Sequence, residues 1–162
     1  MTVTDARKST EELTLSFVAE FDAPVERVWQ LWEDPRQLER WWGPPGWPAT
    51  FETYEFEEGG RASYFMTGPD GEQPRGWWTI TRIDAPHRLE FDDGFADENG
   101  QPTGDLGATH GVVTLAEREG GGTRMTITTS FESREQLEAM SRMGMEEGMR
   151  AAIGQMDAIL AS

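Results

Sequence analysis

A chain of 162 residues, with 36% hydrophobic and 10% aromatic side chains, has the length of one domain and enough apolar matter for a packed core. Fourteen basic residues against thirty acidic ones leave a formal net charge of -16, a field that repels phosphate backbones and so excludes nucleic acid as the expected partner. Without cysteine there are no disulfides, thiolate nucleophiles or cysteine-based metal sites, and Lys8, the only lysine, gives no basis for amine-nucleophile chemistry.

Residues 1–12 (MTVTDARKSTEE) are polar and without periodicity, which predicts a flexible arm ahead of a single domain over 13–162. They hold no apolar signal core, and no later run approaches the roughly 18 apolar residues of a membrane span. A cytoplasmic protein without membrane insertion is expected. From Leu13, apolar residues recur at Leu15, Phe17, Ala19 and Phe21, the period of a strand with one buried face. Asp22 to Pro24 start a helix, on which Val25, Val28, Trp29 and Trp32 form one apolar stripe. Asp34 and Pro35 restart the chain into a shorter helix with Leu38, Trp41 and Trp42, ended by the prolines of Gly43 to Pro48 (GPPGWP).

Short strands follow at 51–56, 61–67, 75–83 and 87–93, separated by turns at Gly59 and Gly60, at Gly68 to Gly71, and at Asp84 to Pro86. Residues 92–108 read as an unstructured loop. Strands at 109–117 and 123–131 flank Gly120 to Gly122, and Ser133 with Gln136 forms a capping-box start to the closing helical region. There the apolar face changes at Gly144, which predicts two helices, about 133–142 and 144–160, the longer one on the sheet. A strand, two short helices, six further strands and a terminal helix make an α+β helix-grip layout, with a curved antiparallel sheet of about six to seven strands around the last helix. A cavity between them is expected, because such a curved sheet seldom packs solid against one helix.

Alternation on the strands sends Phe51, Tyr64, Met66, Trp78, Phe91, Val113 and Met125 inward, facing Met145, Met149, Ile153 and Met156 of the last helix. Methionine adapts to varied apolar partners, so these faces could hold a ligand or simply fill an irregular core. All seven tryptophans lie between residues 29 and 78. Trp29, Trp32 and Trp41 belong to helical stripes and read as core, whereas Trp42 and Trp47 border the proline-rich turn and could form a pocket mouth. Trp77 and Trp78, being consecutive in a strand, must point to opposite faces.

Two histidines titrate near neutrality by their ordinary values. His87 falls in a turn and is expected to be solvated. His110 opens a strand beside the long loop and is the one acid/base candidate, with Tyr64 and Asp93 as accompanying polar groups, against the simpler reading of a structural or exposed histidine. No metal site is expected. The acids Asp92, Asp93, Asp97, Glu98 and Asp105 fail the calcium-loop pattern, since the sixth residue from Asp97 is Pro102. Neither a phosphate loop nor a Gly-x-Ser-x-Gly nucleophile elbow occurs, and no cofactor is expected.

Phe21 to Trp29 (FDAPVERVW), Asp34 and Pro35, Trp41 to Pro44 (WWGP), Gly59 and Gly60, Gly68 to Gly71 (GPDG) and Gly144 to Met149 (GMEEGM) appear in an order that resembles the activator of heat-shock-protein ATPase homologue (AHSA-type) family. That family belongs to the START-like, birch-pollen-allergen-like (SRPBCC) superfamily, and the similarity runs from about Leu13 to Leu160. It implies a helix-grip fold with a hydrophobic pocket. The namesake co-chaperones carry a second domain, for which this chain is expected to be too short. The preferred expectation is a binding protein for a small hydrophobic or aromatic ligand, held by Trp42 and His110 together with the inward strand and helix residues. Two alternatives stand beside it: a cyclase- or dehydratase-like enzyme using the same pocket, and a co-chaperone-like module with a chaperone or other basic protein as partner. The sequence does not decide between a monomer and a homodimer.

Overall fold

The computed structural model describes residues 3–104 and 107–161. Its first element, β1 (Val3–Ser9), lies where a flexible arm was expected. The arm has no apolar alternation because only Val3 is buried. β1 is an edge strand held by backbone pairing to β2 (Thr14–Phe21), and Asp5, Arg7 and Lys8 keep its open side charged. Met1 and Thr2 of the expected arm lie outside the described residues. In β2 the alternation holds, with Leu15, Phe17, Ala19 and Phe21 buried.

Helix α1 (Val25–Glu33) follows Pro24 at its N-cap and buries Val28, Trp29, Leu31 and Trp32. Asp34 then caps α2 (Pro35–Leu38), its carboxylate accepting the Arg36 N–H at 3.0 Å. The two helices carry the chain from β2 to β3 (Ala49–Tyr54) at the opposite edge of the sheet. From β3 the chain runs through β4 (Arg61–Met66), β5 (Arg75–Asp84), β6 (Arg88–Ala96), β7 (Thr109–Glu117) and β8 (Thr123–Ser130). The eight strands form one antiparallel sheet in the order β1-β2-β8-β7-β6-β5-β4-β3. This is the expected α+β helix-grip architecture with one more strand, β1.

The expected loop over 92–108 is shorter than its composition implied. β6 continues through Asp92 and Asp93 to Ala96, paired with β5, and the chain then turns on Asp97, whose carboxylate accepts from the backbone of Asn99 and Gln101 at 2.9 Å. Asp92 and Asp93, where the expected strand 87–93 and the expected loop overlap, belong to the strand, which runs three residues further.

At the C-terminus Ser133 caps α3 (Arg134–Arg142), accepting the Gln136 N–H at 3.0 Å. Gly144, in the left-handed region at φ 85°, separates it from α4 (Met145–Gly154). The single long helix expected from 144 to 160 is interrupted at Gln155, after which α5 (Met156–Leu160) follows. Gly154 is a poor helix former, and the Gln155 amide donates to the carbonyls of Trp41 at 3.3 Å and Gly43 at 2.7 Å. The interruption therefore anchors the C-terminal helices to the segment that carries Trp42. Ala152, Ile153, Met156 and Ile159 face the core.

The densest part of that core is aromatic. Trp32 of α1 packs edge-on against Trp41 at 4.7 Å and lies 6.4 Å from Trp78 of β5, which stacks on Phe91 of β6 at 4.1 Å. Trp42 meets Trp78 edge-on at 4.9 Å. Trp29, Trp32 and Trp41 are core residues as expected, and Trp77, on the other face of β5, lies across Gly94. Trp78→Ala is expected to lower the unfolding free energy by about 3–5 kcal/mol, because the hole falls among rings that cannot close over it. Urea denaturation followed by circular dichroism measures the loss.

Candidate functional site

The inner face of the sheet is not filled along its whole length. Leu89 and Phe91 of β6 point inward and are buried, Phe91 against Trp32 of α1 and against Trp42. The same alternation sends Asp93 and Phe95 to that face, past the aromatic cluster. There a cavity of about 330 Å³ opens between β4, β6 and β7 on one side and α3 and α4 on the other. Tyr64 and Met66 enter it from β4, Thr109 from β7, and Trp42 and Pro44 from the turn after α2. The helical wall is Met140, Met143 and Met145 around the Gly144 joint, then Gly148, Met149 and Ala152. The Tyr64 ring reaches this position because Gly76 stands opposite it on β5. A Cβ at Gly76 would run into the Tyr64 hydroxyl and ring.

The cavity is apolar except at one end. In neighbouring strands Trp78 pairs with Asp93, and Asp93 with Thr109, so these three side chains form one row across the inner face. The Thr109 hydroxyl donates to Oδ1 of Asp93. Among the described residues Oδ2 has no hydrogen-bond partner. Removal from bulk water pushes the Asp93 carboxyl up to about 6; the Thr109 bond opposes this shift and the Asp92 charge adds to it. Burial, with a contribution from the Asp93 charge, also raises the Tyr64 hydroxyl, while the Trp42 and Trp78 indoles work in the opposite direction. Neither indole N–H makes a hydrogen bond of acceptable geometry, and both are buried.

Of the twelve residues expected to bind a ligand, Trp42, Tyr64, Met66, Met145 and Met149 line this cavity. Phe51, Trp78, Phe91, Val113, Ile153 and Met156 point inward as expected but are buried core side chains outside it. Alternation assigned their face correctly; it could not show that α1, α2 and the distal part of α4 with α5 cover that stretch. Met125 is buried in the same way. Trp47 packs over Gly68 instead of bordering the cavity.

His110 requires a correction. It sits on the outer face, with Nδ1 2.7 Å from Asp92 Oδ1 and Nε2 3.0 Å from Glu90 Oε1. Partial burial works against its charged form, but the two carboxylates outweigh it and raise the ring above its usual value. The imidazole is thus held between two acids on the surface opposite the cavity, so the enzymatic alternative loses its acid/base histidine. Of the three weak catalytic candidates, Tyr64 and Asp93 share the cavity and His110 does not. His87 is exposed, 3.3 Å from Glu117, as expected for a turn histidine.

Cavity residues that the sequence reading missed include Phe95, Thr109, Met140 and Met143. Alternation carried two and four residues past Phe91 reaches Asp93 and Phe95, and Thr109 shares the parity of Val113. Among the described residues no group of three or more histidines and acids could hold a metal ion. Asp105, part of the acidic stretch considered for calcium, lies outside the described residues.

Because the folded-state value of Asp93 stands above its ordinary 3.8, its contribution to stability is full below pH 3.8 and is lost as pH rises through about 6. Asp93→Asn, which keeps an acceptor for Thr109, is expected to stabilise the fold above that window by roughly 1–3 kcal/mol and to change little below it. Urea unfolding at the two ends of the window tests the sign.

With the fold and cavity established, comparison with known proteins places the chain. The family model described as "Activator of Hsp90 ATPase homolog 1-like protein" matches residues 22–161. A solution NMR structure of a protein from Arthrobacter aurescens is 63% identical, covers 99% of this chain and 92% of its own, and superposes with a TM-score of 0.95. A crystal structure of a protein from Mycobacterium smegmatis is 49% identical over 98% of this chain and 96% of its own, with a TM-score of 0.90. A Rhodobacter sphaeroides protein at 25% identity still reaches 0.83, with 97% of both chains covered. No curated protein matches. The matched model spans the chain from the start of the α1 turn to the end of α5, and the chain therefore belongs to the Activator of Hsp90 ATPase homolog 1-like protein family.

Proposed function

We propose that this protein binds a small hydrophobic or aromatic molecule in the cavity between the sheet and helices α3 and α4. The observation that carries this reading is the hollow itself. At about 330 Å³, walled by methionine and aromatic side chains, it falls within the usual size range of small-molecule pockets. Methionine side chains are flexible and polarizable, so the wall can adapt to more than one apolar shape. The enclosure also has an economical origin. The rigid part of the core is concentrated around Trp32 and Trp78, leaving the other end of the inner face without a structural load.

Gly148 offers a test that spares the core. A Cβ built there meets nothing within 4 Å, so the backbone accepts a side chain at this position; Gly148→Phe is expected to place its ring in the hollow, and replacing a helical glycine favours α4. An apolar fluorescent probe is expected to bind the wild-type chain and to lose affinity by about tenfold or more in the variant, as its contact surface is replaced by the phenyl ring. The thermal midpoint should not fall. Equal probe binding by both proteins would place the ligand elsewhere.

A further inference from the structure

The cavity is asymmetric in a way that reports on the ligand's head group. Among its lining residues the only ionisable group with a charge near neutrality is Asp93; no arginine, lysine or histidine reaches it. Thr109 occupies one carboxylate oxygen and leaves the other without a donor among the described residues. His110 is on the far side of the sheet and bonded to Asp92 and Glu90. Folding has therefore placed this half-buried carboxylate in an apolar wall without supplying a counter-charge, and its raised titration point accords with that situation. A partly desolvated ion left without a partner is costly, and a partner that arrives from outside gains by the desolvation already in place.

The remaining walls suit a cation as well. Met66, Met140 and Met149 carry weakly accepting thioether sulfurs, and Trp42 and Tyr64 carry electron-rich rings. An anionic head, such as the carboxylate of a fatty acid, would meet Asp93 with no cation to separate the two charges. We propose that the cavity takes an apolar molecule with a protonated amine head, which donates to the free Oδ2 of Asp93 while the tail lies among Met140, Met145 and Met149. This rests on the reading of the cavity as a binding site and narrows it to a chemical class.

A series with one tail and three heads tests it: octylamine, octanol and octanoate, titrated calorimetrically into the full chain at mildly alkaline pH. The expected order is octylamine first, octanol about tenfold weaker, as a charge-assisted hydrogen bond gives way to a neutral one, and octanoate weakest. Asp93→Asn should bring octylamine down to the affinity of octanol. Glu119→Gln, which removes an exposed acid from the β7–β8 turn, should leave the octylamine preference in place. Octanol or octanoate binding as tightly as octylamine would overturn the amine head while leaving the cavity a binding site. So would a preference that survives Asp93→Asn or falls equally with Glu119→Gln, since attraction to the acidic surface would then account for it. No binding of any of the three, together with no binding of an apolar probe, would overturn both the head group and the site.

Discussion

The packing of Trp32 and Trp42 onto Trp78 and Phe91 is the interaction on which the rest of the structure depends. It fixes the helical crossover between β2 and β3 against the middle of the sheet, and so sets how far the inner face is covered. Four large rings in mutual contact leave little freedom to shift, and their edge-on and stacked geometries hold each other in place. Where this cluster ends, the cavity begins. Trp42 belongs to both, with one side against Trp78 and another in the cavity wall. The Gln155 amide, bonded to the carbonyls of Trp41 and Gly43, ties the C-terminal helices to the same residue pair. The position of the helical wall is thus referred to the same anchor as the opposite one.

The aromatic cluster carries an electrostatic cost of its own. The indole N–H groups of Trp29, Trp32, Trp42 and Trp78 are buried without hydrogen-bond partners among the described residues. Each such group forfeits solvation, and the apolar area buried by the rings must offset it. The surplus of donors at one end of the cavity and the isolated carboxylate of Asp93 have a common origin: a fold that concentrates large aromatic side chains on a concave surface has few places for compensating polar partners.

Much of the scaffold was legible in the sequence because its elements state their own period. β2 alternates cleanly, α1 shows a stripe, and Gly144 marks the change of helical face. β1 was illegible for a physical reason. An edge strand held by backbone pairing, with a single buried side chain, writes no pattern into its residues. The candidate site was half legible. Alternation tells which face a side chain takes, and on that basis Tyr64 and Met66 were placed correctly. Whether an inward residue meets a helix or a hollow depends on where the crossover helices stop, which is a long-range property. That is why Phe91 is core and Asp93, two residues on, lines the cavity. His110 adjoins a loop, yet its parity, opposite to that of Val113, puts it on the outer face.

Asp92 and Asp93 are successive residues with opposite surroundings, one bonded to His110 on the outer face and the other to Thr109 within the cavity. The sheet at this point is a partition one backbone thick. A protein bound to the outer face would meet the first aspartate directly, whereas a molecule in the cavity would meet the second, so one short stretch of strand serves two separate surroundings.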